Sequence, residues 1–217
     1  MRITRRSVSL ASVVLLGVAA ASAAGVHYAA SSTATPDVSA VQDVVGEALY
    51  QQYALGTPSK VQHGRAPHTF TTPKITVDAS QHAEGDNAPD AAEVSERRNL
   101  GKNAIDTVFS QSSDALKKRV NLAYTNTIAA AGDPNGRFLG AGISKLTFED
   151  TTISGDTATV HATATIWSTT QQKGPDGKWM TAEPSGDKSV TGTVKKTPQG
   201  VWVIDDLVSS YLPNSQP

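Results

Sequence analysis

At Gly136 the apolar pattern of this 217-residue chain changes its period from about 3.6 residues to two. Before that point, apolar stripes have helical spacing. After it, four stretches alternate: Ile143–Ile153, Thr157–Thr170, Lys188–Lys196 and Val201–Tyr211. Turn-forming residues join them: Ser154-Gly155-Asp156, Gly174-Pro175-Asp176-Gly177 and Pro198-Gln199-Gly200. Such short joints make successive strands antiparallel. Helices first and hairpin-linked strands after predict an α+β fold, with helices packed on one face of the sheet.

Two helices are predicted just ahead of the switch. One starts near Asp90, where Asp90 and Glu93 have capping-box spacing, and carries Leu100, Ala104, Ile105, Val108 and Phe109. Gly101 weakens it. The second runs from about Asp114 to Ala131 on Leu116, Val120, Ala123, Tyr124 and Thr127, and Gly132 ends it. Further upstream, residues 36 to 55 place Val38, Val41, Val45, Ala48, Leu49 and Tyr53 on one helical face. That helix is expected to dock on the domain behind it. Residues 57 to 89, with four prolines and no leucine, read as a linker with one short strand candidate at Ile75–Val77. Its His63, His68 and His82 have no metal-ligand spacing and no cysteine to assist them, so no metal site is expected.

The chain begins as an exported protein does. Arg2, Arg5 and Arg6 precede an uncharged apolar stretch from Val8 to about Val26, and Ala21-Ser22-Ala23 has small-x-small cleavage spacing. Thr4-Arg5-Arg6-Ser7-Val8 also partly resembles a twin-arginine signal. An uncleaved segment of this length would span a bilayer with the remainder outside. Membrane contact is expected only through residues 8–26, and only if they are retained. The expected organisation is residues 1–30 as signal or anchor, 31–89 as helix plus linker, 90–212 as the folded domain and 213–217 as a tail. The product is expected to be extracellular or held on the outer face of the cytoplasmic membrane.

Composition removes several functions. There is no cysteine, which excludes disulfides, thiolate nucleophiles, zinc–thiolate sites and an acylated lipoprotein cysteine. A net charge of −1 without a basic stripe argues against nucleic acid. No phosphate-binding glycine loop, paired-histidine motif or nucleophile elbow is present, and no cofactor is expected. The weak catalytic candidates are Asp205, Asp206 and Tyr124. As strand neighbours, the two aspartates should point to opposite faces. The last strand reads as apolar on both faces, with Val201, Val203 and Leu207 against Trp202, Ile204 and Val208. An aspartate held in an apolar cavity there would act as a general base. In Thr157–Thr170, Ala158, Val160, Ala162, Ala164 and Ile166 share the buried face. His161 and Trp167 share the threonine-rich one. They and Trp202 are the candidates for ligand or partner contact, unless that face is simply an exposed, β-favouring surface.

An export segment, two amphipathic helices, an antiparallel sheet and the closing run Gly200-Val201-Trp202-Val203-Ile204-Asp205-Asp206-Leu207 together resemble the NTF2-like superfamily. Within it, they resemble the extracytoplasmic domains of actinobacterial Mce-associated membrane proteins. The resemblance implies a cone of four to five strands wrapped round a helix, with a pocket at its open end. It also implies an accessory role in the cell envelope, binding a partner protein or a small hydrophobic ligand. Relatives such as ketosteroid isomerase and SnoaL-type cyclases are enzymes, which keeps a pocket isomerase, cyclase or hydrolase as an alternative. A further alternative is a membrane-tethered spacer, with residues 36 to 55 as its stalk.

Overall fold

The computed structural model describes residues 36–54, 57, 59–74, 91–131 and 136–216. The export segment, the strand candidate Ile75–Val77 and His82 lie outside the described residues. The helices are α1 (Pro36–Ala54), α2 (Ser59–His63), α3 (Ala91–Asp106) and α4 (Asp114–Ala131). The strands are β1 (Gly136–Ser154), β2 (Thr157–Lys173), β3 (Trp179–Ala182), β4 (Ser185–Lys196) and β5 (Trp202–Tyr211). The class is α+β, as the change of period requires.

The sheet runs β1-β2-β4-β5, antiparallel throughout, and β3 pairs with β2 beyond the end of β4. Gly155, Gly177 and Gly200 take φ values of 59°, 80° and 80°, the left-handed conformation that tight joints demand of glycine. Two features escape the alternation rule. β3 is only four residues long, with Trp179 buried and Met180 exposed. β1 starts at Gly136 rather than Ile143, because Leu139 through Ile143 are all buried and show no alternation. Gly142 sits there because a Cβ would stand 2.6 Å from the Thr72 Cβ and 3.0 Å from the Trp167 Cζ2. Register shifts between Phe138 and Gly140, Ile143 and Lys145, and Phe148 and Asp150 insert bulges, which bend β1.

Helix α1 lies in the core. Val41, Val45, Ala48 and Leu49 are fully buried, and they share one cluster with Phe109, Leu116, Val120 and the small-sided face of β2. The small residues set the spacing: a Cβ on Gly192 of β4 would stand 2.6 Å from Val45 Cγ2. The Gly192→Val chain is therefore expected to lose about 1–3 kcal/mol of stability through overpacking, measured by urea unfolding. Asp37 fixes the start of α1 by accepting from the Trp202 indole at 3.2 Å. Helix α1 thus docks on the elements that follow Asp90 and shares one core with them. A stalk made of residues 36 to 55 is corrected for the same reason. Thr57, Ser59, Phe70 and Thr72 are buried as well, so the described part of the expected linker belongs to the folded body.

That segment and α3 together cap the outer edge of β1. The carbonyl of Leu139 accepts from Arg97 Nη1 at 3.5 Å, that of Ala141 from Thr57 Oγ1 at 2.8 Å, and that of Ile143 from the Thr72 amide at 2.7 Å. The opposite edge is treated alike. On β5, Ile204 accepts from Ser112 Oγ at 2.9 Å, Asp205 from the Ser113 amide at 2.9 Å, and Leu207 from Arg119 at 3.1 Å. Capped carbonyls do not template pairing with another chain.

Candidate functional site

The two aspartates of β5 flank a bulge. Ile204 pairs with Val194 and Asp206 with Thr193, which leaves Asp205 as the extra residue. The bulge rephases the strand, so Trp202, Ile204 and Leu207 are buried while Val208 is 55% exposed. This corrects the reading of a strand covered on both faces. Neither carboxylate enters an apolar cavity. Asp205 takes Lys195 Nζ at 2.6 Å and Asp206 takes Arg119 Nη2 at 2.5 Å, with both side chains about one-third exposed.

Tyr124 is buried on α4, and its hydroxyl donates to the Gln51 carbonyl of α1 at 2.6 Å. Burial, and secondarily the Glu47 charge, push its pKa well up, so the phenol stays neutral. No interaction joins it to Asp205 or Asp206. Trp167 is 1% exposed, and its indole donates to the Thr72 carbonyl at 3.1 Å. It is covered by the segment at residues 69–74 rather than presented to a partner, which corrects its reading as an exposed anchor. Trp202 is buried too, bonded to Asp37, with Lys196 over its ring. His161 alone of these candidates lies exposed on the outer sheet face, 3.3 Å from the Thr191 hydroxyl. The six residues do not converge on one site.

Two clusters unmarked by any sequence motif are better built. The first joins α1 to the segment after α2. Glu47 is 7% exposed and meets Arg65 through Nη1 at 2.8 Å and Nη2 at 2.9 Å. The Arg65 guanidinium lies 4.0 Å from the Tyr50 ring centre. Small clefts of about 100 and 260 Å³ flank this pair. The Tyr50 hydroxyl is buried without a hydrogen-bond partner among the described residues, and burial raises its pKa. A carboxylate between buried Val45 and Ala48 was the available signal, but nothing in the sequence ties it to Arg65. Two of the linker histidines also belong here: His63 meets Glu96 at 2.8 Å and His68 meets Asp43 at 3.1 Å. They pin this segment to α3 and α1. Among the described residues no cluster of ligands could hold a metal ion.

The second is a groove of about 420 Å³ between α3 and α4. Ile105 and Tyr124, its least exposed residues, form the floor. Arg98 and Lys102 line the α3 side and Asp106 follows one turn on, while Asn121 and Thr125 form the α4 wall. Sequence reasoning gave the apolar stripes of both helices but not the gap between them.

No family model matches the chain, and no curated protein matches it. Among solved structures, the intermembrane space region of chloroplast protein ARC6 is similar over 51% of this chain and 80% of its own, at 16% identity and a TM-score of 0.37. CagV, a VirB8 homolog of the T4SS from Helicobacter pylori, is similar over 55% and 82%, at 14% identity and a TM-score of 0.31. An NTF2-like protein with a cystatin-like fold from Novosphingobium aromaticivorans is similar over 46% and 53%, at 17% identity and a TM-score of 0.26. These likenesses are partial, and the α+β class rests on this chain's own strand order and helix packing.

Proposed function

We propose that this chain is an exported, non-catalytic accessory domain of NTF2-like type, which binds a partner protein or a hydrophobic ligand at the cell envelope. The observation that carries the reading is the engagement of every acid–base candidate in structural bonds. Asp205 is held by Lys195, Asp206 by Arg119, and the Tyr124 proton by a main-chain carbonyl. A general base must meet substrate inside a pocket, whereas both carboxylates lie part-exposed beside a cation. The positive, then apolar, then small-residue layout of the first 23 residues supports export. The run Gly200–Leu207 supports the narrower kinship with Mce-associated proteins.

Complementation of a deletion strain tests this reading. Alkaline phosphatase fused after Pro217 is expected to be active only when residues 1–35 are present. The Asp205→Asn/Asp206→Asn chain, which keeps hydrogen-bonding capacity, is expected to restore the deletion phenotype in full. An inactive reporter removes export. A folded double variant that fails to complement restores the enzyme alternative.

A further inference from the structure

We propose that the groove between α3 and α4 binds a single-chain anionic amphiphile, with its acid group at Arg98 and Lys102 and its chain over Ile105 and Tyr124. The charge pattern of the helix pair points there. Arg97 is paired with Glu93, Lys117 with Asp114 and Arg119 with Asp206. Arg98, Lys102 and Lys118 have no ion-pair partner among the described residues, and of these only Arg98 and Lys102, four residues apart on α3, line the groove. Both sit on the rim of a groove whose floor is apolar.

Tyr124 contributes to that floor because its hydroxyl is turned away to the Gln51 carbonyl, leaving the ring to line the groove. The α4 wall carries neutral Asn121 and Thr125, so no acid on that side competes for the two cations. Asp106, one turn beyond Lys102, repels an acid group and so fixes the direction in which the molecule lies. The groove volume of about 420 Å³ falls in the range of small-molecule sites and suits one acyl chain rather than two. The inference does not depend on export, since it stands on the helix pair alone.

The test uses the full chain and dodecanoate carrying a diazirine in its tail, followed by photolysis, digestion and mass spectrometry. Label is expected on the peptides holding Ile105 and Tyr124. Unmodified dodecanoate should displace it about tenfold better than dodecyltrimethylammonium, a swing two exposed charges can supply. The Arg98→Glu/Lys102→Glu chain should invert that order. Both residues are exposed, so its circular dichroism should match the wild type. Equal competition by the two surfactants, or label spread over the surface, overturns the proposal. So does equal competition by phosphatidylglycerol vesicles, which would assign a two-chain lipid. Stronger displacement by an acidic helical peptide than by dodecanoate would replace the amphiphile with a protein partner.

Discussion

A fragment covering residues 90–217 will not fold on its own. It holds every described strand and both helices of the region that sequence patterning marks as the domain, yet it lacks α1. That helix supplies Val41, Val45, Ala48, Leu49 and Tyr50 to the core, each no more than 3% exposed. Burying a large apolar side chain stabilises by roughly 1.5–3 kcal/mol, and four of these five are large. The total, on the order of 6–12 kcal/mol, is comparable with the whole stability of an ordinary domain. Removing α1 also bares the sheet face beside Gly192 and leaves the Trp202 indole without Asp37. The fragment is expected to show no near-ultraviolet circular dichroism and a collapsed amide NMR spectrum. Adding residues 36–74 as a separate peptide is expected to restore both. A dispersed spectrum from the fragment alone would mean that α1 is an accessory and not the centre of the fold.

The Arg97→Met chain is expected to lose about 3 kcal/mol, read from urea unfolding midpoints at pH 7. Arg97 is 4% exposed, and its Nε donates to Glu93 Oε1 at 2.7 Å. Glu93 also accepts from the Ser59 amide at 2.8 Å and the Ser59 hydroxyl at 2.7 Å, which ties α2 to α3. Loss of the guanidinium leaves a partly buried carboxylate without its cation and the Leu139 carbonyl without its cap. The Glu93→Gln/Arg97→Met chain should recover part of the loss, because the stranded charge is then gone.

The pH dependence provides a second reading of the same pair. Burial pushes the Glu93 carboxyl upward, but hydrogen bonds from Arg97 and Ser59 and the Arg97 charge outweigh it and hold the pKa below its ordinary 4.5. A group depressed in the folded state adds stability that is fully present above the unfolded value and is lost as pH falls through the folded one. The gap between wild type and Arg97→Met should therefore be widest at neutral pH and narrow below pH 4.5. A gap that stays constant into acid would assign the effect to packing of the Arg97 stem instead.

Helices α1, α3 and α4 and the hairpin joints were legible in the sequence, each for a local reason, whereas α2 falls inside the expected linker. Helix α4 spans the predicted Asp114–Ala131, because Leu116, Val120 and Tyr124 repeat at helical spacing and all three are buried. Gly155, Gly177 and Gly200 stand at the predicted joints with positive φ. The alternation in β2 correctly gave its buried face from Ala158 to Ile166. It failed at Trp167, which the same rule placed in the exposed set. Pairing with Gly142 under the Thr72 segment buries it, and no local pattern in β2 could announce that cover.

Asp205 illustrates a different limit. Alternation assumes an unbroken ladder, and one inserted residue opposite Thr193 and Val194 resets which side chains face inward. The candidate sites were less legible still. The cations of the α3–α4 groove look like ordinary surface residues until the neighbours of each are known. Glu47 and Arg65 are separated by a turn and a short helix.

What the sequence determined by itself is the long helices and long strands, their order, and the apolar face of most of them, but not the short α2 and β3, because period, capping and turn preference act over a few neighbouring residues. The tertiary structure alone decided that α1 is the centre of the core and that a supposed linker caps a sheet edge. It also decided which charges are paired and which stand open. Most of those outcomes depend on contacts between residues far apart in the chain: 42 positions between Arg97 and Leu139, 84 between Thr57 and Ala141, and 165 between Asp37 and Trp202. A single polar side chain has no period, so its partner exists only once the chain has closed.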